Sequence, residues 1–358
     1  MSDMLITMCV IAYNEEQNIN GILECIKNQD YDHNNMEVVL VDGASTDNTR
    51  ALMCEFALDN KDEFRRVVVL DNPKKTLPSG WNVALREYKG DAIIKVDAHA
   101  VIPEDFVSKN VRVLETGEYI CGGQRPNIID KPTPFKETLL LAESSMFGSS
   151  IASYRNNPGK TYVKSLFHAA YRREVFEKVG FFNEELVRTE DNEIHYRMRK
   201  AGYKLCFDPD IISYQYTRSS LKAMLKQKYA NGYWIGKTSK VCPKCLSIYH
   251  FVPFAFVSAI IASGSVIGAT GLAECIKKRH NHTLGKGISA LRKVTGVLTT
   301  VMWVLYALMA SGMAAVSAFK AEDKRNITNA CLPVLFLLLH LSYGIGTIAG
   351  LMDKSKRG

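Results

Sequence analysis

The chain has 358 residues, with 45 Lys and Arg against 37 Asp and Glu for a net charge of +8. Its nine Cys are scattered and show no disulfide framework, as in a protein of a reducing compartment. The positive excess invites a nucleic-acid reading. However, Lys237, Lys240, Lys244, Lys277, Lys278 and Arg279 gather beside apolar segments, which fits anionic lipid headgroups and sets nucleic acid aside.

Residues 1 to 247 mix charge, Gly and short apolar runs, as one sizeable soluble α/β domain does. The opening "MSDMLITMCVIAYNEE" has an apolar run too short and a flank too poor in basic residues for a secretory signal, so this head is expected in the cytoplasm. "LITMCVIA" (5–12) reads as a strand, and 15–29 as a helix with apolar spacing at Ile19, Ile22, Leu23 and Ile26. "MEVVLVDG" (36–43) is a second strand, and a helix capped by Ser45, Thr46 and Asp47 follows to residue 59. Then come a strand at 65–72, a helix at 78–90 and a strand at 92–98. Strict alternation implies parallel βαβ units with right-handed crossovers, and ligands bind outside the carboxyl ends of such strands.

At those ends stand Ala12-Tyr13-Asn14-Glu15, Asp42-Gly43-Ala44-Ser45, Asp71-Asn72-Pro73-Lys74-Lys75, and then Asp97 and His99. No GxGxxG follows the first strand and no GxxxxGK[ST] occurs, so a phosphate site here calls for a metal rather than a Gly-rich cradle. Residues i and i+2 of an extended segment point the same way, so Asp97 and His99 are expected to reach one divalent cation beside a nucleotide diphosphate. The imidazole favours Mn²⁺, with Mg²⁺ the alternative. A hydrogen-bonded structural His99 is the competing reading.

Beyond residue 240 lie three segments free of Asp, Glu, Lys and Arg: 251–273, 294–319 and 327–352. Each is long enough to cross the roughly 30 Å hydrocarbon core of a bilayer as a helix. The expected division is therefore a head at 1–240, with a nucleotide half (1–100) and an acceptor half (101–240), and a membrane region at 241–358. The Cys242-Pro-Lys-Cys245 pair supplies two zinc ligands of a usual four, so plain juxtamembrane thiols are expected. If all three segments cross, the basic loop 274–293 falls outside, against the positive-inside bias. The favoured arrangement has two crossings, with the Ser- and Gly-rich 251–273 re-entering or lying in the interface.

Four stretches in order, "VIAYNEEQNINGILECIKNQDY", "EVVLVDGASTDNT", "VDAHAVIPEDFV" and "TEDNEIHYRMRKAGYKLCFDP", resemble the family-2 inverting glycosyltransferases over residues 5 to 235. That family's nucleotide-sugar-binding fold is called GT-A, a Rossmann-like, mostly parallel α/β sheet. With "VDAHA" and a C-terminal membrane region, the chain looks like the succinoglycan-type exopolysaccharide enzymes. Asp97-Ala98-His99 stands in place of the family's Asp-x-Asp, so His99 departs from the commoner motif.

The resemblance implies that Ala12, Tyr13 and Glu15 hold the uracil and ribose, and that Asp42 grips base or ribose. It places Gly80 and Asn82 in a segment closing over the nucleotide. For Tyr13 and Asn82 a turn or cap role competes, and for Asp42 an Asx-turn onto Ser45. Glu190-Asp191 matches the family's acidic pair, which assigns the general base to Asp191. The same residues also suit a helix start, where acids are favoured. "KQKYANGYW" (226–234) is a poor match to a processive Gln-x-x-Arg-Trp motif, and Trp234 lines the acceptor site or marks the membrane interface. The implied activity is transfer from a nucleotide-diphosphate sugar, with a UDP-sugar expected, to a lipid-linked glycan at the plasma membrane. The alternatives are a polyprenyl-phosphate glycosyltransferase, or a sugar-nucleotide sensor or scaffold without turnover.

Overall fold

The computed structural model describes residues 3–148, 159–218, 220–279, 286–321 and 326–354. Lys324, Arg325, Lys356 and Arg357, and the side chains of Lys277, Lys278, Arg279 and Lys286, lie outside what is described.

The first half alternates strand and helix: β1 (Ile6–Ala12), α1 (Ile19–Lys27), β2 (Met36–Asp42), α2 (Thr49–Asp59), β3 (Arg66–Asp71), α3 (Leu77–Glu87) and β4 (Ala92–Asp97). β5 (Ala100–Val101), α4 (Phe106–Glu115), β6 (Ile120–Gln124), β7 (Asn127–Ile128) and α5 (Pro134–Ser144) follow. Next come β8 (Thr161–Val163), β9 (Ala170–Arg172), α6 (Arg173–Val179), α7 (Glu190–Lys200), β10 (Leu205–Ile212) and β11 (Tyr214–Tyr216). The long helices are α8 (Leu221–Val241), α9 (Val252–Arg279), α10 (Lys286–Phe319) and α11 (Leu332–Met352).

The main sheet has eight strands in the order β3-β2-β1-β4-β9-β6-β10-β8. β3, β2, β1 and β4 are parallel neighbours, β9 is antiparallel to β4 and β6, and β10 again runs parallel to β6. Alternate residues of β1 serve opposite layers. Ile6, Met8 and Val10 pack with Ile22, Ile26 and Val107, while Cys9 packs with Trp81, Ala84 and Ile93. A sheet covered on both faces reads as a continuous apolar run, which is why these strands stand out in the sequence.

The expected α1 and α2 start late, at Ile19 and Thr49. The residues before them bond across to each other instead. Asn14 N–H donates to Ser45 Oγ (3.0 Å), Thr46 N–H to Asn14 Oδ1 (2.8 Å), and Asn48 N–H to Glu16 Oε2 (3.1 Å). Such side chain–backbone bonds compete with helix, and here they lock two strand-end loops into one rim. Asn14 and Ala44 take left-handed backbone angles in doing so (φ 54° and 57°).

Among the described residues, three helices are long and apolar enough to cross a membrane: Ile248–Ile276, Gly287–Phe319 and Ile327–Met352. The backbone break expected in 251–273 is not there, since α9 runs unbroken from Val252 to Arg279. Apolar Ser- and Gly-containing sequence holds a helix when neither Pro nor a polar insertion interrupts its ladder. Of the three, the helix most enclosed by protein is α11. Glycines of α8 and α11 bring the two backbones together, so that a Cβ on Gly232 would stand 2.0 Å from Tyr343 O and one on Gly350 2.0 Å from Tyr233 O. Gly350→Leu should therefore lower the thermal midpoint of the detergent-purified protein, by the equivalent of about 1–3 kcal/mol of overpacking. Gly312→Ala, whose Cβ meets nothing within 4 Å, should leave the midpoint unchanged or raise it.

Candidate active site

The carboxyl ends of β1, β2 and β4 form the floor of the site. Asp97 is the last residue of β4, and Ala98-His99 make a turn before β5. The extended alternation expected to aim Asp97 and His99 together therefore ends at Asp97, and the two side chains take different partners. Asp97 Oδ2 lies 3.5 Å from His168 Nε2, and His168 Nδ1 lies 2.8 Å from Ser213 Oγ. His99 Nδ1 lies 3.3 Å from Glu15 Oε1, and its Nε2 is 3.2 Å from Gln215 Nε2.

Burial pushes the Asp97 carboxyl up, but the His168 bond and the charges of His168, Lys95 and His99 outweigh it and hold it well below the usual range. Its bond to Glu15 raises the His99 imidazole, and Asp97 and Glu15 add to that through their charge. Glu15 is lowered in turn, because its His99 and Asn18 bonds outweigh its burial.

On the nucleotide side, Tyr13 is 47% exposed at the rim and Ala12 O accepts from Gly43 N–H at 2.8 Å. Asp42 accepts Ser45 N–H at 3.2 and 3.3 Å, a local side chain–backbone bond three residues on rather than the two of an Asx-turn. Gly80 and Asn82 carry structural contacts. A Cβ on Gly80 would meet Ile11 Cγ2 at 2.7 Å, so its glycine lets α3 approach β1. Asn82 Nδ2 donates to Phe182 O (3.0 Å) and Glu184 Oε1 (2.9 Å), and its Oδ1 accepts Phe182 N–H at 2.8 Å.

Glu190 and Asp191 open α7 after Thr189, whose hydroxyl hydrogen bonds the Thr238 hydroxyl of α8. Glu190 is 3% exposed and faces Lys95, with Nζ 3.7 Å from Oε1. Its Oε2 is buried with no hydrogen-bond partner among the described residues. Burial, with Asp191 adding, pushes the Glu190 carboxyl up to about 8 against the Lys95 charge. Burial also raises Asp191, whose Oδ1 accepts Asn192 N–H at 2.8 Å. For Lys95 burial works downward, but the charges of Glu190, Asp97 and Asp191 prevail and keep the ammonium charged. The Lys95 ammonium lies over the Trp81 ring, 5.4 Å from its centroid, an apolar lining that concentrates its field on the acids.

Lys95 belongs to none of the motifs, although a single Lys inside the buried run "AIIKVD" is itself a signal. His168 left no such mark, since it lies 71 residues from Asp97 in the chain. His195, on the buried face of α7 between Tyr171 OH (2.8 Å) and Ser165 Oγ (3.1 Å), is pushed down to about 3 by burial and stays neutral. Among the described residues, no group of three or more His, Cys, Asp or Glu side chains is arranged to hold a metal ion. Asp97 and His99 offer at most two donors, a set suited to a cation whose remaining positions are filled by diphosphate oxygens and water.

This sheet, with its acidic strand end facing a second acidic pair on a helix start, is a GT-A fold, and the protein is a glycosyltransferase. Residues 7–180 match the family described as Glycosyl transferase family 2, and the chain carries a domain of that family. It is 28% identical over 236 residues to the succinoglycan biosynthesis protein ExoA of Rhizobium meliloti, covering 64% of this chain and 68% of that one. It is 26% identical over 264 residues to the dolichyl N-acetyl-alpha-D-glucosaminyl phosphate 3-beta-D-2,3-diacetamido-2,3-dideoxy-beta-D-glucuronosyltransferase of Methanococcus voltae, covering 72% and 80%. Among solved structures, it is similar to the mannosyltransferase PcManGT from Pyrobaculum calidifontis in complex with GDP-Man and Mn²⁺. That likeness has a TM-score of 0.55 at 18% identity and covers 98% of this chain and 88% of that one.

The raised Glu190 carboxyl has a consequence for stability. Between its ordinary 4.5 and about 8 the folded chain binds a proton that the unfolded chain has lost. Stability linked to Glu190 is thus fully present below pH 4.5 and is lost as pH rises toward 8. Glu190→Gln should flatten the fall of the thermal midpoint across this window. An unchanged slope would show that Glu190 titrates normally.

Proposed function

We propose that the chain moves a sugar from a nucleoside-diphosphate sugar, with a UDP-sugar as donor, to a lipid-linked glycan, inverting the anomeric centre. The observation that carries this reading is the meeting of two acidic centres around one buried cation. Asp97 ends β4, Glu190 and Asp191 begin α7, and Lys95 lies among all three. The relatives' names, one in succinoglycan biosynthesis and one citing a dolichyl N-acetylglucosaminyl phosphate, support a lipid-linked glycan as acceptor.

In this reading Tyr13, Glu15 and Asp42 line the nucleoside end, with Ala12 backbone beneath. Asp97 and His99 would hold a divalent cation, Mn²⁺ or Mg²⁺, which supplies charge neutralisation for the departing diphosphate. Asp97 suits that role because its carboxyl is held ionised. Asp191, less buried than Glu190, takes the proton of the acceptor hydroxyl as that oxygen attacks the anomeric carbon. Its raised affinity for protons makes it a stronger base than an ordinary carboxylate. Glu190 and Lys95 lie behind it and set the local charge. In this reading the chain is a multi-pass protein of the plasma membrane with its catalytic head in the cytoplasm.

Asp191→Asn should leave donor-induced heat stabilisation near normal and lower transfer by about 10²–10⁴-fold. Transfer above about a tenth of wild type would remove Asp191 as the base, since a general base contributes more than that. Asp97→Ala should abolish both turnover and the Mn²⁺-dependent part of donor stabilisation, while His99→Asp should keep activity and tolerate Mg²⁺ better. A His99→Ala protein fully active at low Mn²⁺, with unchanged donor stabilisation, would make the histidine a structural partner of Glu15 and Gln215.

A further inference from the structure

We infer that only α9 and α10 cross the bilayer, as an antiparallel hairpin. The apolar α11 stays with the head, so both of its ends lie on the catalytic side. This rests on the membrane attachment proposed above and assigns which surface makes it.

α9 and α10 pair in opposite directions. Phe256 packs on Tyr306 (4.6 Å between centroids) and Trp303 (5.7 Å), while Glu274 pairs with Arg292 at the other end. From Phe256 to Glu274 the pair runs about 27 Å along α9, close to a hydrocarbon core of roughly 30 Å, and beyond Tyr306 α10 packs on α5 and α11 through Ala310 and Ala314. Glu274, Arg292 and Lys293 cluster at the end far from the head, and Lys320 follows the near end. Between them the outward faces are apolar: Ile261, Leu272, Val297, Leu298, Leu305 and Leu308 are each more than half exposed. A surface of this length, bounded by charge at both ends and bare along its middle, fits lipid acyl chains.

α11 has the composition of a crossing helix but not the setting. At its start, Asn326 Nδ2 donates to Pro134 O (2.7 Å) and Thr138 Oγ1 donates to Asn329 Oδ1 (2.8 Å), which ties it to α5. At its end, Asp353 Oδ2 lies 3.3 Å from Lys237 Nζ and accepts from Tyr233 OH, and Lys240 Nζ donates to Asp353 O at 2.9 Å. Between these anchors Ser342 Oγ donates to Leu225 O (2.8 Å), and the glycines of both helices hold them in backbone contact. α8 runs beside α11 for its whole length. If α11 crossed, α8 would be carried into hydrocarbon with the exposed Lys222 and Lys226, which such a setting strongly disfavours. The hairpin does put the basic loop 274–293, with Lys277, Lys278, Arg279, Lys286, Arg292 and Lys293, on the far side, against the positive-inside bias. That bias acts on loop charges, whereas moving either end of α11 across would break bonds to the folded head.

The test is single-cysteine labelling of the full chain in cells, with the native thiols replaced and Lys61→Cys marking the head's side. Ala290→Cys should react with an impermeant maleimide from the face opposite Lys61→Cys, and Lys320→Cys and Lys354→Cys from the same face as it. Labelling of 320 and 354 from opposite faces would show that α11 crosses and overturn the inference. Labelling of 290 from the head's face, in protein that resists carbonate extraction, would overturn the hairpin while leaving membrane attachment standing. Release by carbonate would sink the attachment reading itself, and the inference with it. Should the cysteine-free chain fail to fold, an epitope after Gly358 of the native chain reports on the same question. Protease in sealed vesicles must reach it together with the head, and reach without the head refutes the inference.

Discussion

The cation that the site is built around is Lys95. It sits two residues before the end of a buried strand, nearly out of contact with water, and the groups that keep it charged are Glu190, Asp97 and Asp191. Those acids come from β4 and α7, elements distant in the chain. An ammonium in an apolar setting costs several kcal/mol unless carboxylates face it, and carboxylates so placed repel one another unless a cation stands between them. Each half of the site therefore requires the other. The strand cannot be buried without α7 covering its end, and α7 cannot begin on two buried acids without the lysine.

That mutual requirement divides the acids by role. Asp97, held low by His168, Lys95 and His99, is a permanent anion suited to cations. Glu190 and Asp191, raised by burial, hold a proton more tightly than ordinary carboxyls. Two environments within one site thus push carboxyl affinities in opposite directions, as the proposed pairing of an ion ligand with a base requires.

The catalytic helix is also tied to the membrane region. Thr189 precedes α7 and bonds Thr238 of α8, and α8 meets α11 through glycines of both helices and the Asp353 cluster. A third apolar cluster joins Leu139 of α5, Met224 of α8, Ala310 of α10, and Leu335 and Phe336 of α11 into one body. Asp191, the proposed base, is therefore positioned by helices that continue into the apolar C-terminal region.

Strand–helix alternation was legible in the sequence because each strand of a doubly covered sheet is a short unbroken apolar run, and each covering helix repeats its apolar face every three to four residues. The rim residues were legible for the same reason, since strand ends can be counted. Asp97 and Glu15 could be named from position alone, and Asp191 from its place in a motif. What the sequence did not determine is which polar groups meet. His168 reaches Asp97 only because β9 returns beside β4, and Gln215 reaches His99 only because β11 pairs with β5. Such partners leave no periodicity behind. The same holds for the last helix. Its apolarity is a property of the sequence, but whether apolar side chains are covered by lipid or by protein depends on what packs against them. The close backbone contact with α8, made at glycines of both helices, was decided by the tertiary structure alone.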